Sequence, residues 1–300
     1  MSRILLIDAY SQIYRVFYAI RMLTDSSGAP ANAIYGMARL FMQLDEEYPS
    51  EYGAIVFDLG KCTRRTALLP EYKAQRPPMP PELRCQTEAI RQWAEAFGWN
   101  VVMQEGVEAD DLISGIAAQR GDADVLILSS DKDLAQLCAD PRVKMLSRKS
   151  GGEPWKIEGA EAVRAHFGVP PEQLRDYLAL IGDSADNIPG VPGCGPKTAA
   201  GLLEQYGSIE AIMGHLEELK GAKLRENLRA AEKRLQDNCS LVNLDRILPE
   251  NWRGLPGIAR RTPDWDKILA MCGERGFKSI AEAVKRRAPR PMQQGLLEFL

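Results

Sequence analysis

Histidine is nearly absent from this chain: 300 residues carry only His166 and His215. Nothing around either suggests a base or a ligand pair. This scarcity argues against a zinc centre and against nucleophilic catalysis driven by a histidine base. Any metal here is expected to be a hard cation held by carboxylate oxygens. The six cysteines, Cys62, Cys85, Cys138, Cys194, Cys239 and Cys272, are scattered with no C-x-x-C pair. They read as reduced thiols rather than a disulfide frame or a zinc site. Long apolar runs are missing too, so no segment approaches the roughly 20 residues of a membrane span. The opening "MSRILLIDAY" is too short in its apolar part for a secretory signal and reads as a first strand. A cytoplasmic protein with no membrane partner is expected.

Strong net charge is also lacking, at −3 overall, but its distribution is uneven. Residues 220–300 hold 17 Lys/Arg against 10 Asp/Glu, a balance of +7, and residues 1–219 carry −10. Ordinary solvated charge accounts for this, and so does a metal site beside a phosphate-binding surface. With 45% hydrophobic and 26% charged residues the composition is globular, enough for one large or two smaller domains.

"RILLID" (3–8), "YGAIVFD" (52–58), "NVVMQ" (100–104) and "DVLILS" (124–129) have the length and β-branched content of buried strands. Helical patterns such as 32–48 and 82–97 separate them, which implies a parallel sheet covered on both faces. After "KMLS" (144–147) the pattern turns to helix and turn. A boundary falls at 165/166, giving an α/β domain at 1–165, a helical region at 166–287 and a flexible tail at 288–300.

Carboxylates gather at the strand ends. Asp8 and Asp58 close the first two strands, and Glu108, Asp110 and Asp111 ("EADD", with Ala109) follow the third by a short loop. Asp131 and Asp133 follow the fourth; if that segment is extended, both point the same way. "GDSADN" adds Asp183 and Asp186. In open parallel sheets ligands bind beyond the carboxyl ends of strands. Each residue alone has a bland explanation as a turn former, cap or dipole partner. Nine at one rim would repel severely unless divalent cations neutralised them.

"NIPGVPGCGPKTAAGLLEQYG" (187–207) carries a second signal. Gly190, Gly193 and Gly195 frame a tight turn, and Lys197 and Thr198 open a helix whose free N–H groups suit a phosphate. This is a helix–hairpin–helix pattern for sequence-independent grip on a nucleic-acid backbone. In "PEYKAQRPPMPPELR" (70–84), Lys73 and Arg76 are three apart and share a face if the segment is helical.

With "LLIDAYSQIYRVFYAI", "GVEADDLISGIA", "ILSSDKDLAQL" and "LIGDSADNIPGVPGCGPKTAAGLLEQYGSIEAI" in this order, the chain resembles the 5′ nucleases, or flap endonucleases. Within them it is most similar to the 5′→3′ exonuclease domain of bacterial DNA polymerase I. The resemblance covers residues 3–285 and makes the chain look like a free-standing nuclease. It implies a PIN-like α/β fold, hydrolysis of phosphodiester bonds in DNA, and two divalent ions, Mg²⁺ or Mn²⁺. Asp8, Asp58, Glu108 and Asp110 match the carboxylates around one ion, and Asp131, Asp133 and Asp186 those around the other. Asp111 and Asp183 match more peripheral acidic positions. Lys73 and Arg76 match a basic pair at the scissile phosphate, beside Tyr72, while Arg15 and Arg65 match DNA-contacting arginines. The hairpin matches a duplex-gripping element that holds K⁺. Departures are Ala9 and Tyr10 for an expected Gly and Ser, Arg64 for an aromatic, and Ala67 for an acid. A monomer is expected. Rival readings are a non-catalytic junction-DNA-binding protein and a PIN-type ribonuclease.

The closing "QQGLLEFL" resembles sliding-clamp-binding peptides. The bacterial register uses Gln294, Leu297 and Phe299; the archaeal and eukaryotic one uses Gln293, Leu296, Phe299 and Leu300.

Overall fold

The computed structural model describes residues 2–21, 23–147 and 155–288. Its frame is a six-stranded sheet built from β1 (Arg3–Asp8), β2 (Tyr52–Leu59), β3 (Asn100–Glu105), β4 (Asp124–Leu128), β5 (Val143–Ser147) and β6 (Lys156–Glu158). The order is β3-β2-β1-β4-β5-β6. The first five strands are parallel, and β6 runs antiparallel to β5. Alternation along β1 sends Leu5 and Ile7 into one core and Ile4 and Leu6 into the other. Both faces are therefore buried, which is why "RILLID" reads as an unbroken apolar run.

The chain steps outward from β1 to β3, then returns to place β4 on the other side of β1. That reversal opens a crevice at the carboxyl ends of β1 and β4. Asp8 closes β1, and Ile7 pairs in register with Leu128, the last residue of β4.

Three elements differ from the sequence expectation. β6 is a three-residue edge strand, too short and polar to register as a pattern. The helix expected over 82–97 is two pieces, Pro81–Arg84 and Thr87–Ala96. Gln86 sits at the break, where its side chain accepts from Ala33 and Ile34 N–H and donates to Asn32. The helices Trp265–Arg275 and Lys278–Arg287 pack into the core that contains Trp93, Phe97 and Phe277, beside the sheet. Arg260 fastens the preceding segment by lying 3.5 Å over the Trp99 ring and pairing with Asp45 at 2.9 Å.

The helical region begins after β6. Helix Leu174–Ile181 leads into a two-stranded hairpin, Gly182–Asp183 with Ile188–Pro189, then a turn and helix Pro196–Tyr206. Gly182 has φ 75°, and a Cβ there would stand 2.3 Å from the Gly190 nitrogen. Only glycine lets these two backbones close so tightly. No helix among the described residues is long and apolar enough to cross a membrane.

Candidate metal centre and nucleic-acid interface

Asp8 ends β1 and also caps helix Ala9–Ala19, accepting the Ser11 N–H at 3.2 Å, while Ser129 donates to its other oxygen at 2.6 Å. Asp58, at the end of β2, accepts the Ala109 N–H at 3.0 Å and so caps the neighbouring helix Ala109–Ala118. Asp110 and Asp111, in the first turn of that helix, diverge. Asp110 lines a cleft of about 600 Å³ together with Asp8, Asp58, Asp131, Asp183 and Asp186. Asp111 is buried, with both oxygens bound to Arg65.

The strand alternation expected for Asp131 and Asp133 is not the device that aligns them. β4 stops at Leu128, and a 3₁₀ helix starts at Asp133. Asp131 accepts the Asp133 N–H at 2.9 Å, a local turn that a strand would not permit. Asp133 then meets Asp183 and Asp186 from the hairpin, with one oxygen of each within 4.8 Å of the others. Lys132 ion-pairs with Asp183 at 2.9 Å and was not anticipated, although it stands between two aspartates in "SDKD".

Lys73 and Arg76 also reach the site by another route than a helix face. Residues 69–76 form consecutive turns, and Lys73 has φ 55°, which costs a non-glycine residue about 1 kcal/mol. The turns are held against the hairpin: Lys73 N–H donates to the Asp186 carbonyl at 3.1 Å, and Asn187 Nδ2 to the Glu71 carbonyl at 3.0 Å. Lys73 Nζ thereby pairs with Glu108 and, at 3.7 Å, with Asp186, while Arg76 pairs with Asp186. Tyr72, expected at the DNA groove, turns its hydroxyl inward to Glu108 and to Asp186 at 3.0 Å.

Arg65 corrects the sequence reading. It is 2% exposed, with its guanidinium on Glu108, Asp111 and the carbonyls of Leu241 and Asn243. It has no surface to offer DNA. Cys62, Glu108 and Asp111 also converge, and the Arg65 guanidinium lies against that group, so Asp111, expected at a peripheral acidic position, is here an arginine partner. Arg15 lines the acidic cleft. In the turn between that hairpin and helix Pro196–Tyr206, Gly193 has φ 80° and Gly190 packs against the Ile181 carbonyl; Gly195 before the helix and Lys197 in its first turn are exposed, with Thr198 partly so. Gln294, Leu297 and Phe299 lie outside the described residues.

The electrostatics of the rim are those of a cation site. Burial pushes the Asp8 carboxyl up to about 7, with Asp58 and Asp131 adding to the rise. Burial and the charges of Asp131, Asp186 and Asp183 push Asp133 up to about 8. Asp110 is raised by burial and by Asp131, Asp8 and Asp58; Asp58 and Asp131 are raised chiefly by burial. Asp133 Oδ1 is buried with no hydrogen-bond partner. Two carboxylates at such spacing repel by about 3–4 kcal/mol at an effective dielectric near 20. A hard divalent cation on the Asp133 group would satisfy the orphan oxygen and remove the repulsion.

This has a consequence for stability. An unfolded aspartate titrates near ~3.9. Asp8 and Asp133 titrate higher in the fold, so the folded state binds more protons. Stability of the metal-free protein is then highest below pH ~4 as far as these groups decide it, and falls as pH rises through 7 and 8. Millimolar Mg²⁺ is expected to raise the melting temperature by roughly 5 °C at about pH 8.5 and far less at about pH 5.5. Equal shifts at the two pH values, read by circular dichroism against a chelator control, would contradict the assignment.

Comparison with known proteins agrees with this geometry. The family described as "5′-3′ exonuclease, N-terminal resolvase-like domain" matches residues 3–168, and "5′-3′ exonuclease, C-terminal SAM fold" matches 169–263. The 5′-3′ exonuclease of Aquifex aeolicus is 34% identical over 303 residues, covering 99% of this chain and 100% of that protein. DNA polymerase I of Bacillus caldotenax is 36% identical over 286 residues, covering 95% of this chain but only 32% of the polymerase. The chain thus spans about a third of the curated polymerases it matches. Among solved structures, a bacteriophage T5 flap endonuclease complex with DNA and metal ions superposes with a TM-score of 0.64 at 23% identity, over 95% of this chain and 98% of that one. The Rad2 catalytic core with DNA substrate gives 0.66 at 13%, over 97% and 92%. These two likenesses concern the fold. The match of both family descriptions along one chain, and of a full-length relative, places this protein in the 5′-3′ exonuclease family.

Proposed function

We propose that this chain is a divalent-metal-dependent 5′→3′ exonuclease and 5′-flap endonuclease that hydrolyses phosphodiester bonds in DNA. The observation that carries the reading is the converging carboxylate rim, with Asp133, Asp183 and Asp186 within 4.8 Å and Lys73 and Arg76 across from them. Two ions, Mg²⁺ or Mn²⁺, would supply an activated water and offset charge on the phosphoryl and leaving oxygens. Asp8, Asp58, Asp110, Asp131, Asp133 and Asp186 would hold them, with Glu108 and Asp183 at the margin. Lys73 and Arg76 would turn from their carboxylate partners to the reacting phosphate. A non-catalytic DNA-binding protein has no use for so repulsive a cluster. The relatives named above motivate the substrate: a 5′ flap, nick or primer end at a duplex junction, in the cytoplasm, with the protein a monomer. A labelled 5′-flap duplex with Mg²⁺ is expected to be cut faster than blunt duplex or single-stranded RNA, leaving a 5′-phosphate. Preferential cutting of the RNA would favour the ribonuclease reading.

The exposed hairpin turn would grip the duplex backbone, with K⁺ seated there. Lys197 is exposed at the start of helix Pro196–Tyr206, where backbone N–H groups are free. Lys197→Ala is expected to weaken binding equally for all duplex sequences and to lower the salt slope by about one unit. A sequence-dependent loss in fluorescence anisotropy titrations would refute a backbone contact.

The tail reading is likewise a proposal. A 286–300 peptide is expected to bind the host sliding clamp, and a Leu297→Ala/Phe299→Ala version to bind at least about tenfold more weakly. Equal binding, or none, returns the tail to an ordinary apolar end.

A further inference from the structure

Below the cleft, one buried cation ties the carboxylate rim to the region that carries the hairpin. Arg65 Nε donates to the Leu241 carbonyl at 2.8 Å, and Nη1 to Glu108 and, at 2.6 Å, to Asp111. Nη2 donates to the other Asp111 oxygen at 2.9 Å and to the Asn243 carbonyl at 2.8 Å. A guanidinium has five N–H groups in a rigid fork, and all five find oxygen acceptors here. The acceptors come from two places: the start of helix Ala109–Ala118, and the backbone at the end of helix Glu232–Val242.

That second helix also seats the hairpin. Asn238 Nδ2 donates to the Ala179 and Pro189 carbonyls, each at 2.9 Å, and Arg234 reaches the Gly190 carbonyl at 3.4 Å. The Asp245 N–H closes the link by donating to Asp111 at 2.9 Å. At the rim, Arg65 holds Glu108 Oε2 from below while Oε1 takes Lys73. With one oxygen fixed, the other is held on Lys73, in the pocket that Glu108 shares with Asp58, Lys73 and Arg76, all three of which also line the acidic cleft.

We infer that Arg65 is a positioning residue. It sets the orientation of Glu108 and locks the helix that seats the hairpin into register with the cation rim. Metal site and duplex grip therefore share one geometry, which a two-part molecule needs if a phosphate held by the hairpin side is to meet cations held by the sheet. The inference rests on the metal-dependent reading above. It differs from simple stabilisation because replacing the fork should alter cation binding even in a folded protein.

The test is Arg65→Lys, which keeps the charge and loses the planar fork. Mn²⁺ binding to the full chain without DNA is read by electron paramagnetic resonance, and the Mg²⁺ midpoint of flap cleavage is read beside it. Arg65→Lys is expected to weaken Mn²⁺ affinity about tenfold and raise the Mg²⁺ midpoint similarly, as for other groups that orient ligands. Saturating Mg²⁺ should restore much of the rate. Arg64→Ala is the control: Arg64 donates to the Ser240 carbonyl and ion-pairs with Asp245, on the same helix end. It should lower the melting temperature and move the Mn²⁺ isotherm far less than Arg65→Lys, because Arg64 touches neither Glu108 nor Asp111; an Arg64→Ala shift as large as that of Arg65→Lys would overturn the positioning role. An Arg65→Lys isotherm equal to wild type overturns the inference, whatever its melting temperature. If that variant does not fold, Asp111→Glu keeps the charge but displaces the fork, and is expected to weaken Mn²⁺ binding severalfold; an unchanged isotherm there also overturns it. Wild-type protein that binds no Mn²⁺ would instead bring down the metal-dependent reading, and this inference with it.

Discussion

Asp110→Ala is expected to slow single-turnover cleavage by at least about a thousandfold, on the scale of removing a principal charge-stabilising element from an active site. Junction binding should stay within a few-fold, because the hairpin turn and Lys197 are remote in sequence and untouched. Asp110 lines the cleft at the first turn of its helix, where Asp131, Asp8 and Asp58 all raise its carboxyl. Removing it takes out the carboxylate on which these repulsions converge. The same change therefore carries a second, opposite signature. Without Asp110 the remaining carboxylates repel one another less, and the metal-free variant should melt higher than wild type at about pH 8. Loss of cleavage with a gain in metal-free stability marks a group kept for function at the expense of the fold. Near-normal Mg²⁺-dependent turnover would sink the assignment.

How much of this could be read in advance depended on range. β1 to β4 were legible because each is a short β-branched run bounded by polar residues, and the carboxylates were legible because they close those runs. β5 registered only as the point where the pattern changes. Lys73 and Arg76 do reach the same carboxylate, but through turns rather than a helix face. They converge through turns pinned to the hairpin more than 100 residues later, and nothing local in "PEYKAQRPP" encodes that contact. Arg65 failed for the same reason. Its oxygen acceptors lie 43 to 178 residues away, and a charged side chain looks exposed until they are known. Gln86 broke a well-formed helical pattern because its amide was needed by Asn32 and Ala33. The helices after residue 264 follow the helical region in sequence yet pack into the sheet's core, a choice that amphipathicity alone does not make.

Lys73→Ala and Arg76→Ala are each expected to lower the saturated single-turnover rate by about a hundredfold, as for other groups that stabilise developing charge. DNA affinity should fall much less. The structure adds a sign that separates this role from a groove contact. Lys73 Nζ sits on Glu108 and 3.7 Å from Asp186, so in the metal-free protein it competes with any cation for the same oxygens. Arg76 does the same at the other oxygen of Asp186. Removing either cation leaves the carboxylates more negative, and Mg²⁺ should then bind more tightly. The Mg²⁺ midpoint is expected to fall while the rate also falls, opposite to the Arg65→Lys pattern of a raised midpoint with a rescuable rate. A residue that merely lined the groove would weaken DNA binding and leave both the midpoint and the saturated rate where they were. The decisive measurement is a Mg²⁺ titration of single-turnover cleavage at saturating enzyme for wild type and both variants. If the variants show wild-type rates once DNA is saturated, Lys73 and Arg76 hold DNA and take no part at the reacting phosphate.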